Sequence, residues 1–327
     1  MAMDLSVLPL PHVDLPRGGG APQVHPLADG TLAWREDLWG TCWGGIAPRK
    51  LGWVLGAALQ GAGELLTSGP VDSGTLAATA LLGARAGVRV HVVVGPPATP
   101  SRDSARTAAL ARVVHTHAEK VWVAETSTQL ALAWARAWSG LRVLEGVSPL
   151  VVPPGLACVE GALGGVSLGV HVAERVAAGA IPRPARVALP RGSGAAAAGL
   201  AVGLRLGGLD AEVLAVRSAE EPVFGRFRRV EIGELAQAVA AHLRAAGAPL
   251  AGSLARMGEV TATPGQPYPA GPAHAPLDPA SEAAWRTLVA SGARDTLLVC
   301  TGNRVPLDEA LRGALPDIAP SMRALIA

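Results

Sequence analysis

Apolar residues recur with a helical period from about residue 47 onward and then alternate with short apolar runs. Pro48 suits the first turn of a helix. The apolar residues that follow it have i, i+3 and i+4 spacing, namely Leu51, Val54, Leu55, Ala58 and Leu59. This pattern predicts an amphipathic helix. Further along, the pattern predicts a strand at 65–67, a helix over 75–86 and a buried, β-branched strand over 88–94.

The same alternation continues to residue 216. Ser101 is a candidate cap for a helix through residue 114, followed by a strand at 121–123 and a helix over 126–138. A strand at 185–189, a turn at 192–194, a helix over 195–206 and a strand at 212–216 then form one complete βαβ unit. Strands that alternate with helices predict an α/β fold whose parallel sheets are covered on both faces.

Composition narrows the class of protein. Of 327 residues, half are apolar and 17% are charged, and the net charge is +2, which excludes the strong basic excess of a nucleic-acid-binding protein. The cysteines Cys42, Cys158 and Cys300 lie far apart, as expected for reduced thiols. No secretory signal and no apolar run of about 20 residues is evident, so we expect a soluble, cytoplasmic protein without a membrane span.

Two short segments carry a family resemblance. The segment 34–38 reads WREDL and the segment 44–51 reads GGIAPRKL. Together they resemble the K-R-D-D-L and G-G-N-K-x-R-K-L motifs of the 1-aminocyclopropane-1-carboxylate (ACC) deaminase and D-cysteine desulfhydrase family. That family uses pyridoxal phosphate on the fold of the tryptophan synthase β subunit. In register, the lysine that forms the Schiff base with the cofactor falls on Ala47.

The resemblance implies a two-lobed organisation. Residues 50–158 would form a smaller lobe inserted into a larger one built from 1–49 and 159–327. Three later segments resemble other family motifs: 161–164 (GALG), 301–303 (TGN) and the Asp-Pro pair at 278–279. The family usually dimerises, so the resemblance also implies a homodimer or a heteromer with an active relative.

The turn formed by Gly192, Ser193 and Gly194, called the glycine loop below, resembles the family's phosphate-binding G-S-G-G-T loop. Independently of the family, a glycine-rich turn between a buried strand and a helix lets backbone N–H groups approach an anion, and the helix N-terminus adds partial positive charge. The other interpretation is a plain strand-to-helix turn. By resemblance, the cofactor-binding positions are the glycine loop, Ala195, Ala196, Ser73, Gly74 and Thr301.

The departures from the family pattern fall on reactive side chains. The family's asparagine and lysine become Ile46 and Ala47, and its Q-S-N loop becomes Asp72, Ser73 and Gly74, followed by Thr75. The Gly-Thr pair of the phosphate loop becomes Ala195 and Ala196, and the tyrosine of D-P-V-Y becomes Ser281. We expect Asp72, Thr75 and Ser281 to line the substrate pocket. Packing residues remain while catalytic side chains are replaced.

Another amine would be needed for covalent chemistry. Lys50 lies about one helical turn beyond Ala47, roughly 4.5 Å in axial rise, and matches the family's second lysine. It is the candidate catalytic residue if the helix start is re-registered. Lys120 precedes a predicted strand and fits a solvated charge.

Other constellations have ordinary explanations beside functional ones. In an extended segment His115, His117 and Glu119 would share one face and could bind zinc, although the segment fits a helix end better. Cys300 at a strand end could be reactive or simply buried. Three tryptophans near the first motif could line a pocket or pack in the core. The arginines at 226, 228 and 229 form a cluster that is too short to indicate nucleic-acid binding.

These observations favour a pseudoenzyme on a pyridoxal-phosphate lyase scaffold, which binds a small anion or a protein partner. The alternative is an active pyridoxal-phosphate-dependent deaminase or desulfhydrase of small amino acids that uses Lys50. A third hypothesis is cofactor-independent chemistry at Asp72, Ser73 and Thr75, although the GxSxG elbow is missing.

Overall fold

The computed structural model describes residues 5–15, 22–39, 45–98, 104–217, 231–262 and 277–302, together with Met322 and Leu325. The strands in these ranges are β1 (Gln23–Pro26), β2 (Leu32–Arg35), β3 (Glu64–Pro70), β4 (Arg89–Gly95), β5 (Lys120–Val123), β6 (Leu150–Val152), β7 (Arg186–Arg191), β8 (Glu212–Arg217), β9 (Met257–Thr261) and β10 (Thr296–Val299). The α-helices are α1 (Ala47–Gln60), α2 (Gly74–Arg85), α3 (Ser104–His117), α4 (Ser127–Ser139), α5 (Val159–Ala177), α6 (Ala195–Leu206), α7 (Ile232–Ala245) and α8 (Pro279–Ala290).

The strands form two sheets. The smaller sheet has the order β5-β4-β3-β6 and is parallel throughout. The larger has the order β1-β2-β10-β7-β8-β9 and is parallel except for the β1–β2 pair. Each sheet separates two clusters of buried apolar side chains, so the predicted α/β architecture with covered parallel sheets is confirmed.

The larger sheet joins the two ends of the described chain. Strand β2 pairs with β10, and Ala33 lies opposite Leu298. The smaller sheet is formed entirely by residues between β2 and α5. The exact lobe boundaries, 1–49 with 159–327 and 50–158, stay a prediction.

The predicted elements agree with the observed ones to within a few residues, and α6 has the predicted bounds. Helix α1 begins at Ala47 with Pro48 in its first turn, as expected. Four of its five predicted apolar positions are buried, but Leu59 is 43% exposed. The predicted cap Ser101 lies outside the described residues.

Helices α5 and α6 cross at very short distance because glycines line the contact. A Cβ on Gly199 would come within 1.9 Å of the Ala162 carbonyl oxygen, and one on Gly203 within 2.2 Å of the Val166 carbonyl oxygen. This contact fixes α6, and with it the glycine loop at its start, against the rest of the larger core. In the ranges that the structure describes, no helix has both the length and the apolar character needed to cross a membrane.

Candidate functional site

The start of α1 is pressed against the end of β10. The amide of Ile46 donates to the Thr301 carbonyl oxygen at 3.2 Å. Gly45 has φ +86°, and a Cβ there would lie 2.5 Å from the same oxygen. Ala47, the next helical residue, is buried and packs in the core of the smaller sheet. Position 47 therefore offers only a methyl group.

Lys50 is buried, and its Nζ donates to the backbone carbonyl oxygen of Gly155. Burial lowers the pKa of Lys50 to about 8, an effect that the nearby Cys158 thiol opposes. Burial also raises the pKa of Cys158 to about 12. A lysine with this pKa has a larger neutral fraction near pH 7 than an exposed one.

The glycine loop lies beside Lys50. The Ser193 hydroxyl donates to the Gly155 carbonyl oxygen at 2.8 Å, so this oxygen accepts from both Ser193 and Lys50. Gly192 has open space where a Cβ would be, and Gly194 has φ +89°. The structure thus brings the predicted loop and Lys50 together around a single carbonyl.

Helix α6 begins at this loop without a side-chain cap. Its first backbone bond of the helical type runs from the Ala198 amide to the Gly194 carbonyl oxygen at 3.0 Å. The amides of Ala195, Ala196 and the residue after them therefore lack helical acceptors, as at any helix start. Open amides, partial positive dipole charge and a neighbouring lysine together can bind an oxyanion.

The segment of Asp72, Ser73, Gly74 and Thr75 lies at the start of α2, where its polar groups serve the backbone. Asp72 Oδ1 accepts from the Ala98 amide at 2.9 Å, and Ser73 Oγ caps α2 by accepting from the Leu76 amide at 3.1 Å. The carbonyl of Thr75 accepts from the Thr79 hydroxyl at 2.8 Å. Helix α2, which this segment begins, contacts the 154–156 turn that carries Gly155.

Ser281 lies in a second polar corner, at the start of α8. Asp278 caps this helix: its Oδ1 accepts from the amides of Ala280 and Ser281, both at 3.1 Å. Its other oxygen, Oδ2, is buried without a hydrogen-bond partner among the described residues. Ser281 is fully buried with its hydroxyl beside the Cys300 thiol, whose pKa burial raises. A Cβ on Gly302 would lie 2.3 Å from Asp278 Cγ.

A buried ion pair connects this corner to the first motif. Arg35 binds Asp37 through Nε–Oδ1 at 2.9 Å and Nη2–Oδ2 at 2.8 Å. The Asp37 amide donates to the Cys300 carbonyl oxygen at 3.0 Å. Burial raises the pKa of Asp37, and Arg35 opposes that effect. The first motif therefore has a structural role, because its Asp37 amide binds the residue that follows β10.

Sequence reasoning missed a network around Arg49. The guanidinium binds Glu36 Oε1 at 2.5 Å, reaches the Ser167 hydroxyl at 3.2 Å and His171 Nδ1 at 3.2 Å, and lies over the Trp39 ring at 4.4 Å. The available signal was the pairing of Glu36 and Arg49 in the two motifs. Trp34, which donates to Glu36 Oε2 at 2.8 Å, is a core residue, whereas position 43 lies outside the described residues.

The remaining candidates do not gather into a site. Helix α3 ends at His117, so His115 and His117 do not alternate along a strand, and no group of three metal-binding side chains occurs in the described ranges. Lys120 pairs with Glu145 at the surface of the smaller sheet. The arginines at 226, 228 and 229, Cys42 and position 303 lie outside the described residues.

Comparison with known proteins agrees with this architecture. The family described as pyridoxal-phosphate dependent enzyme matches residues 30–262. The nocardicin C-9' epimerase of Nocardia uniformis subsp. tsuyamanensis is 36% identical over 200 residues, which cover 59% of this chain and 60% of that protein. The D-cysteine desulfhydrase of Yersinia pestis (strain Pestoides F) is 30% identical over 217 residues, covering 64% and 62%. The match thus spans about three-fifths of the length of these curated relatives.

Solved structures share the fold. An ACC deaminase homologue superposes with a TM-score of 0.65 at 21% identity and covers 94% of this chain and 97% of that one. An L-serine ammonia-lyase from Rhizomucor miehei gives a TM-score of 0.54 at 13% identity, covering 91% and 99%. Identities this low show a common fold alone.

Proposed function

The chain belongs to the pyridoxal-phosphate dependent enzyme family, and from that premise we propose that it is a pseudoenzyme that binds a small oxyanion at the glycine loop. The motif register puts Ala47 where the family has its cofactor-binding lysine, and a methyl group forms no covalent bond with an aldehyde. The biological role of the chain would then depend on this ligand, or on a protein partner such as a second copy or an active relative.

The residues fit only part of the family's cofactor. The phosphate would suit the glycine loop, where Gly192 leaves open space and the first amides of α6 have no helical acceptors. The covalent end does not fit, because Ala47 offers no amine and the Lys50 amino group is bound to the Gly155 carbonyl.

Packing argues against a shift of α1 that would move Lys50 into the place of Ala47. A Cβ on Gly52 would lie 2.5 Å from the His12 ring, and one on Gly56 would lie 2.6 Å from the Pro11 carbonyl. Sliding the helix by three residues would bring Leu55 and Leu59 to these two places. Since only glycine fits there, the observed register of α1 is strongly favoured.

The main alternative is an active deaminase or desulfhydrase that uses Lys50. The observation that favours it is the lowered pKa of Lys50, about 8, because a neutral amine is the nucleophilic form. This alternative requires Lys50 to leave Gly155 and reach the cofactor's aldehyde.

Borohydride reduction in the presence of pyridoxal phosphate, followed by peptide mass mapping, separates the two functions. The wild-type chain is expected to show no adduct, or sparse labelling shared with exposed Lys120. Ala47→Lys serves as the positive control, with a stoichiometric adduct expected at position 47. An adduct confined to Lys50 in the wild-type chain, and lost in Lys50→Ala, would overturn the pseudoenzyme proposal and support the alternative.

A further inference from the structure

A cleft lies at the amino end of the strands of the larger sheet, opposite to the end that carries the glycine loop. Its volume is about 580 Å³, within the usual range for small-molecule sites. Its walls are the turn at 29–32, the loop at 182–184, Val289 and the segment at 292–297. Leu32 and Thr296 begin β2 and β10, whereas Thr301 and the glycine loop follow the carboxyl ends of β10 and β7. We call this space the amino-end cleft; it is separate from the site described above.

Four charged side chains line the amino-end cleft: Asp29, Arg183, Arg294 and Asp295. Within the described ranges, the guanidinium groups of Arg183 and Arg294 and the carboxylate of Asp295 have no hydrogen-bond or ion-pair partner. Exposed residues with unpaired charges of both signs therefore border one small space. Such groups are available to a ligand without first breaking an internal contact.

The frame of the cleft is held in place by its own contacts. Asp29 accepts from the Thr31 hydroxyl at 2.7 Å and from Trp285 Nε1 at 3.0 Å. Although burial opposes the effect, these hydrogen bonds lower the pKa of Asp29. Asp295 has φ +53°, and its carbonyl oxygen accepts from the Ala185 amide at 2.8 Å. A non-glycine residue in the left-handed region is uncommon, so this backbone is fixed by its surroundings.

The charges indicate the class of ligand. Two guanidinium groups and two carboxylates leave the lining neutral overall, which favours neither a net anion nor a net cation. Apolar side chains complete the walls, among them Leu32, Pro184 and Val289. An arginine fork matches a carboxylate, and an unpaired carboxylate such as that of Asp295 matches an ammonium group.

We propose that the amino-end cleft binds a zwitterionic α-amino acid, with its carboxylate on Arg183 and Arg294, its ammonium group on Asp295 and its side chain against the apolar wall. This binding is independent of the function proposed for the glycine loop. It needs no cofactor and no catalytic residue.

Isothermal titration calorimetry with L-leucine tests the proposal on the full-length chain. Two analogues separate the head groups: 4-methylpentanoate lacks the ammonium group and 3-methylbutylamine lacks the carboxylate. We expect saturable leucine binding and at least about tenfold weaker binding of each analogue. Arg183→Gln/Arg294→Gln and Asp295→Asn should each weaken leucine binding by about tenfold or more. Asparagine tolerates the left-handed backbone of position 295, so Asp295→Asn removes charge without adding strain.

Two controls locate the binding. Arg136→Gln removes an exposed arginine from α4, far along the chain from the cleft, and should leave leucine binding unchanged. Lys50→Ala should also leave it unchanged, which distinguishes this cleft from the glycine loop. Absence of saturable leucine binding, binding that survives Arg183→Gln/Arg294→Gln, or equally tight binding of 4-methylpentanoate would each overturn the proposal.

Discussion

Lys50 and Ser193 donate to the same acceptor, the backbone carbonyl oxygen of Gly155. Lys50 is on α1, and Ser193 is in the loop before α6. A contact between residues so distant in sequence is specified only when both helices are packed in place. It joins the one buried amine described near the site to the loop that is expected to bind an anion.

Burial of Lys50 predicts a specific dependence of stability on pH. Its pKa is about 8 in the folded chain against an ordinary value of 10.5, so the unfolded chain binds more protons between these values. The contribution of Lys50 to the free energy of unfolding should therefore rise by roughly 3 kcal/mol as the pH increases from about 8 to 10.5. Urea denaturation across this range should show this rise as a growing difference in stability between the wild-type chain and Lys50→Met.

Cysteines act in the opposite direction at the upper end of that range. Burial raises the pKa of Cys158 to about 12 from an ordinary value of 9, so deprotonation favours the unfolded chain as the pH increases above 9. The wild-type chain and Lys50→Met both contain this contribution from Cys158. The difference between their profiles of stability against pH therefore isolates the contribution of Lys50. Parallel profiles for the wild-type chain and Lys50→Met would contradict the prediction.

Gly155 should affect anion binding through its close contact with Ser193 rather than through the strain of its own backbone. It has φ +67°, and a Cβ there would lie 2.7 Å from Ser193 Cβ. We expect Gly155→Ala to displace the glycine loop and weaken binding of inorganic phosphate at least about tenfold in calorimetry. Gly179→Ala is the matched control, because Gly179 has φ +69° and nothing within 4 Å of its Cβ position. Equal phosphate affinity in the two variants would show that the contact with Ser193 has no influence on the loop.

Local pattern accounts for much of the fold. The helix over 195–206 was predicted with its observed bounds because apolar period, preceding glycine and following turn all act within a few residues. The pairing of β2 with β10 could not be predicted in this way, since it joins residues over 260 positions apart, as in Leu298 opposite Ala33. Leu59 has the correct period for the apolar face of α1 and is nevertheless exposed, one residue before the helix ends.

In the candidate site, too, the local features could be predicted from the sequence and the long-range contacts could not. Motif register identified the positions of Ala47, Lys50 and the glycine loop, but their relation through Gly155 depends on tertiary packing. The network of Arg49 was missed because a charged pair in two motifs looks like a solvated surface in sequence, whereas both partners are buried.

The buried pair of Arg49 and Glu36 predicts a large, non-additive effect on stability. Arg49→Met leaves the Glu36 carboxylate buried without its guanidinium partner, which should lower the free energy of unfolding by about 3–5 kcal/mol. Adding Glu36→Gln removes the stranded charge, so the double variant should be more stable than Arg49→Met alone. Chemical denaturation of the two single variants and the double variant measures this coupling. Additive losses would mean that the two side chains do not interact in solution.

Glycines in the contact between α5 and α6 should be far less replaceable than glycine in an open helix. A Cβ on Gly199 would lie 1.9 Å from the Ala162 carbonyl oxygen, a backbone atom that cannot move without separating the helices. We expect Gly199→Ala to lower the free energy of unfolding by about 3 kcal/mol or more, at or beyond the upper end of the usual overpacking range. Gly233 on α7 is exposed with nothing within 4 Å of its Cβ position, so Gly233→Ala should instead stabilise the chain by about 0.5–1 kcal/mol through helix propensity. Urea denaturation of both variants gives opposite signs if the contact is as close as observed, whereas a stabilising Gly199→Ala would require α5 and α6 to lie further apart.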